Sequence, residues 1–345
     1  MTKRLVQSQQ GAALISAMLV VTLVATLASV ALWQQWKHVE VESAERHRVQ
    51  SSWLLNGALD WSRLILREDA LAGASSSVDH LAEPWALPLQ EAKLSTFLAQ
   101  DQQQREGDPE VFLSGQVTDA QSRINLTNWF EASDAKSSGQ LTEPVQWALT
   151  RLFNVLSLPR AELDVLAREW LAAAQAARGA NALNGQSSLA GGSGHAALLP
   201  QHVSQLQWLG LSQSTVQRLA PFVTILPEAT PVNLNTASAE VIYAIVPGLD
   251  LAAAQQFVQQ RSRNHVSDLS EAAKALGGKT LNPRWHTVGS RFFEVWGRLR
   301  MEDRTQEETA LILRDASNVT FVWRQKIAGI LPPPSRESLL QSTQP

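Results

Sequence analysis

Few stretches of this chain carry residues in patterns that do chemistry. Gly277-Gly278-Lys279-Thr280 ends like a loop that cradles nucleotide phosphates with glycine amides and a lysine. That motif also needs glycine at the position of Ala273 and a strand upstream; residues 272–276 are instead patterned as a helix. The seven histidines are scattered, and there is no His-Glu-x-x-His and no Gly-x-Ser-x-Gly. His195 stands in a Gly/Ser stretch, a poor place to hold a catalytic group still. Cysteine is absent, which excludes disulfides and thiolate metal sites. These patterns predict no enzyme, no catalytic residue, no metal site and no cofactor.

Two turns offer backbone amides instead. Leu206-Gln-Trp-Leu-Gly210-Leu-Ser212 leads into a helix with Val216 and Leu219. Ile242-Tyr-Ala-Ile-Val-Pro-Gly248-Leu-Asp250 leads into another with Ala254, Phe257 and Val258. The repeat resembles helix-hairpin-helix modules, whose turns bind DNA phosphates when Lys and Arg stand nearby. Here the first turn is followed only by Arg218, and the second by no base before Arg261. With a net charge of −3, the chain is not a general nucleic-acid binder. A membrane-anchored DNA-uptake protein is the alternative this repeat raises, and the charge count argues against it. Asn233-Leu-Asn235-Thr236 precedes the second copy, with Thr236 or Ser238 the expected helix cap.

The element that positions everything else lies at the N-terminus. A polar leader with Lys3 and Arg4 ends at Gly11, and residues 12–32 form an unbroken apolar run. A run of roughly 20 apolar residues crosses a bilayer core. The basic leader places the N-terminus in the cytoplasm and the rest outside, and Trp33 and Trp36 suit the membrane interface.

Gly11 followed by this run resembles the leader of type IV pilin-like proteins. The resemblance implies cleavage between Gly11 and Ala12 by prepilin peptidase and N-methylation of Ala12. Those proteins carry Glu as the fifth mature residue, paired with a neighbour's N-terminal amine; here it is Ser16. An unpaired carboxylate in a bilayer is costly. A chain without it suits a filament tip, with no subunit above. The stretch GQVTDAQSRINLTNW resembles a motif of the K-type minor pseudopilins of type II secretion (the general secretion pathway protein K family), with Gly115, Asp119, Arg123 and Asn125 at the matching positions. The resemblance implies a tip subunit that initiates or caps the pseudopilus for protein export across the outer membrane. It implies partnership with other minor pseudopilins, contact with inner-membrane lipid, and contact with cargo or the outer-membrane channel. A minor pilin of a type IV pilus is a further alternative. Some relatives bind calcium in an acidic loop after a Trp-Leu pair. After Trp170-Leu171 this chain offers only Asn181, Asn184 and Gln186, so no tight calcium site is expected.

The expected fold class is α+β: a long N-terminal transmembrane and packing helix on a small antiparallel, pilin-like sheet, with an all-α helix-hairpin-helix-like domain inserted between strands. The leader is residues 1–11 and the long helix 12–70, with 12–33 in the membrane. Residues 71–130 begin the sheet domain, 131–278 are the insertion, 279–330 complete the sheet, and 331–345 form a loose tail. Within these bounds the Trp53–Trp61 side of the helix is expected in the core. Residues 89–99 read as a short helix, and 110–126 as two short strands around a turn at 118–122. Residues 143–156 and 160–177 read as helices, and 179–200 as a flexible loop. Val319, Phe321 and Trp323 are expected on one strand face.

Overall fold

The computed structural model describes residues 10–72, 78–94, 110–130, 143–182, 198–301 and 304–327. It opens with helix α1, Gln10–Ala72, an uninterrupted 63 residues without proline. Compact units divide within this helix, residues 1–56 and 57–345. In the first unit the helix from Ala13 onward is long and apolar enough to cross a membrane. Its apolar side chains there, Leu14, Met18, Leu23 and Leu27 among them, are exposed.

In the second unit, strands β1 (Leu89–Lys93) and β2 (Val111–Asp119) precede the short β3 (Ile124–Asn125). Helices α2 (Glu143–Val155) and α3 (Arg160–Ala182) follow. A 3-10 turn at Val203–Leu209 leads to α4 (Gln213–Leu219), β4 (Val223–Thr224) and β5 (Val232–Asn233). Next come α5 (Ala239–Ile245), α6 (Leu251–Arg263), α7 (Leu269–Ala275) and β6 (His286–Thr287). The long strands β7 (Phe292–Met301), β8 (Arg304–Asp315) and β9 (Asn318–Ile327) close the described chain.

One antiparallel sheet has the order β1-β2-β7-β8-β9, so its halves come from either side of the helical segment. Strand β7 alternates as its sequence predicts, with Phe293, Val295, Leu299 and Met301 buried. One sheet face packs Val117, Phe293, Val295 and Ile312 with Leu59 and Leu66 of the helix and with Trp85. The opposite face packs Phe292 and Leu311 against Leu226 of the helical segment. The helical segment has its own core, centred on Leu149, Phe153, Trp170, Ile242 and Phe257.

Several local expectations are corrected. Leu89–Lys93 is an edge strand, not a helix: its pairing with β2 overrides the strong helical preference of LQEAK. Residues 110–126 do hold two strands around a turn, but the two strands do not pair with each other. A single nine-residue strand runs through to Asp119, and Ile124–Asn125 pairs in parallel with β4. The helical face that packs on the sheet is Leu59, Ser62 and Leu66, while Trp53, Trp61 and Leu64 are exposed, so the tryptophan side is not core. A β-bulge shifts the β8–β9 register: Ile312 faces Phe321 but Leu311 faces Trp323. The extra residue, Val322, turns Trp323 to the opposite face from Val319 and Phe321. Helix α3 runs on to Ala182, into the stretch read as loop; residues 183–197 and the tail from 328 lie outside the described residues.

Candidate functional site

The motif residues converge where the sheet meets the helical segment. Gly115 stands directly opposite Gly297 in the β2–β7 ladder, and a Cβ there would come within 3.0 Å of the Trp296 carbonyl oxygen. Glycine is therefore required for the close approach of these strands. Asp119 ends β2 fully buried, and its side chain caps the turn by accepting from the Gln121 amide at 2.7 Å. The other oxygen accepts from Thr236 Oγ1 at 2.5 Å, Ser290 Oγ at 2.6 Å and Asn233 Nδ2 at 3.0 Å. Burial pushes the Asp119 carboxyl up to about 6 against the pull of these donors.

Arg123 pairs with Glu294 of β7. Asn125 accepts from the amides of Thr127 and Leu226 and donates to the Glu228 carbonyl at 2.8 Å. Asn128 clamps both backbone groups of Thr230 in the same way. Asn235 does so for Val266, and Gln121 bonds Pro231, Arg291 and Phe292. Side-chain amides thus replace the missing ladder partners of irregular chain. Thr236 is not the helix cap: Ser238 accepts from the Val241 amide and caps α5, which frees the Thr236 hydroxyl for Asp119. Sequence spacing did not single out Asp79 or Ser290, because the network joins residues far apart along the chain.

A second group of charges adjoins the first. Arg314 reaches Asp69 at 2.6 Å and also pairs with buried Asp79, which accepts from the Ser290 amide at 2.7 Å. Carboxylate oxygens of Asp69, Asp79 and Glu83 lie within 4.8 Å of one another. Glu83 accepts from Trp85 Nε1 and the His80 amide. Burial, then the negative charge of Asp69, pushes its carboxyl up to about 7. The His80 ring stacks on that of His265, with centroids 3.8 Å apart.

The hairpin glycines adopt the left-handed conformation, φ +88° at Gly210 and +67° at Gly248, ending the first arm of each copy. The first arm of the first copy is a 3-10 turn. Both following helices are already capped by their own chain. Asp250 accepts from the Ala253 amide, Ser212 caps α4, and the Glu162 carboxylate accepts from the Ser212 amide at 3.0 Å. Carboxylates thus stand at both turns, where a phosphate would be repelled. Gly277 and Gly278 simply end α7 with positive φ, and Lys279 donates to the Gly248 carbonyl at 2.7 Å.

Gly11 and Ala12 lie within the first turns of α1, and Ser16 Oγ donates to the Ala13 carbonyl at 2.9 Å. The backbone of Asn181 belongs to α3; Asn184 and Gln186 lie outside the described residues.

Comparisons with known proteins agree on one group. A family model described as type II secretion system protein K matches residues 232–288, and a second of the same description matches 122–228. The type II secretion system protein K of Pseudomonas aeruginosa is 29% identical, covering 95% of this chain and 96% of its own. Its counterpart from Klebsiella pneumoniae is 28% identical over 92% of this chain and 96% of its own. In fold, the chain is similar to one in the crystal structure of the GspK-GspI-GspJ complex from enterotoxigenic Escherichia coli. That match has a TM-score of 0.59 and 16% identity, and covers 83% of this chain and 99% of that one.

Proposed function

Since the chain belongs to the type II secretion system protein K family, and so is a minor pseudopilin, we propose that it stands at the tip of the pseudopilus and starts or caps its assembly. The observation that carries this reading is an exposed apolar stripe along α1. In the second unit Trp61, Leu64 and Leu71 are exposed at spacings that share one helical face, and the apolar membrane stretch precedes them in sequence. Such a stripe fits the apolar helices of other minor pseudopilins, the class of partner found with the K subunit in the Escherichia coli complex. Ser16 supports the end position, because its hydroxyl is turned back on its own helix and offers no charge to an amine above.

In this reading prepilin peptidase cuts after Gly11, Ala12 is methylated, and α1 spans the inner membrane once. The folded part then lies in the periplasm, facing cargo or the outer-membrane channel. The protein acts by assembly and carries no catalytic group, cofactor or tight calcium ion. Trp61→Asp with Leu64→Asp is expected to abolish co-purification of the other minor pseudopilins from membranes; unchanged recovery would overturn the docking face. Gly11→Asp is expected to leave the leader in place, read as intact mass. The DNA-uptake alternative loses ground to the carboxylates at both hairpins. A gel shift of the detergent-solubilised protein at low salt is expected to show no retention of DNA.

A further inference from the structure

The charges at the seam between sheet and helical segment are not balanced. Asp69 comes from α1, Asp79, His80 and Glu83 from the following loop, and Asp119 from the end of β2. Arg314 of β8 faces Asp69 and Asp79, and His265, beyond the end of α6, faces His80. The exposed carboxylate of Glu271 on α7 senses His265 from outside. Of the four seam carboxylates, Arg314 pairs with only Asp69 and Asp79, while Glu83 lies 3.7 Å from the His80 ring. Two of them, Asp79 and Asp119, are almost wholly buried and bridged by Ser290 and Asn233. Full ionisation leaves an excess of like charge in a seam that is buried at Asp79 and Asp119 and half-buried at Asp69 and Glu83.

We propose that this seam is a proton-operated clasp, gripping the helical segment through the His80–His265 stack in mildly acidic surroundings and slackening as they turn alkaline. The grip is geometric. Glu83 fixes the loop by accepting from the His80 amide and Trp85 Nε1, and the same loop presents the His80 ring to His265. When Glu83 loses its proton to solvent, the added negative charge faces Asp69 and Asp79 across less than 5 Å. The direction follows from linkage. Glu83 is raised to about 7 and Asp119 to about 6, so their contribution is full at low pH and lost as pH rises through those values. His80 is lowered by burial and by His265, which opposes this at the acid end and bounds the grip from below.

Hydrogen exchange by mass spectrometry on the full chain in detergent micelles tests the clasp. Opening of peptides covering residues 79–86 is expected to rise about tenfold from pH 6 to pH 8 once the intrinsic exchange rate is divided out. Glu83→Gln keeps an acceptor for both donors, and the rise is expected to shrink to about twofold, the share left to Asp119. A flat wild-type profile overturns the clasp without any variant. So does a tenfold rise that Glu83→Gln leaves intact.

Discussion

Asn233 shares one amide group among the Asp79 carbonyl, Asp119 and Ser290. Asn233→Ala strips a donor from each of these buried groups, and an orphaned buried polar group costs about 1–3 kcal/mol. The melting midpoint, followed by tryptophan fluorescence, is expected to fall by roughly 4–10 °C. Arg314→Met should cost more, about 3–5 kcal/mol, because it leaves Asp69 and Asp79 facing each other without a cation. The motif through Gly115, Asp119, Arg123 and Asn125 was legible in the sequence as a pattern, but its task was not. Its partners Asp79, Asn233, Thr236 and Ser290 are distant in sequence, and hydrogen-bonding residues have no periodicity to betray them. Thr236 and Ser238 did stand out as candidates for the capping oxygen, and the fold gives that work to Ser238.

At the scale of elements, two glycines make opposite predictions. Gly210 is left-handed, and a Cβ would meet Val165 Cγ1 at 2.7 Å. Gly210→Ala is expected to destabilise by about 2–4 kcal/mol, from backbone strain plus crowding. Gly57 lies inside α1 with nothing within 4 Å of a Cβ, so Gly57→Ala should stabilise the isolated protein by about 0.5–1 kcal/mol. Thermal unfolding of the two variants side by side reads both signs. Strands β7 to β9 and helices α2 and α3 were visible in the sequence because long periodic runs dominate local noise. Strand β1 was not, since five residues rich in Gln, Glu and Lys become a strand only when β2 lies beside them. The bulge at Val322 was invisible for a related reason: the register of a strand belongs to the pair, not to the strand.

For the molecule as a whole, the order of elements was readable: strands, a helical block, then strands. Which helix face would be left uncovered was not, because tryptophans at 53 and 61 look like core material in a lone chain. An exposed apolar face makes sense only with a neighbour, and a single sequence carries no neighbour. The central ladder of the sheet has a consequence for biogenesis. Val111 pairs with Met301 and Asp119 with Phe293, so the β2–β7 rungs wait for residues made long after β2. In the periplasmic orientation proposed above, a nascent chain crossing the membrane presents β2 with an open edge until nearly all of it has emerged. In that orientation export and folding are tied in time, because the edge of β2 stays bare until β7 follows it across.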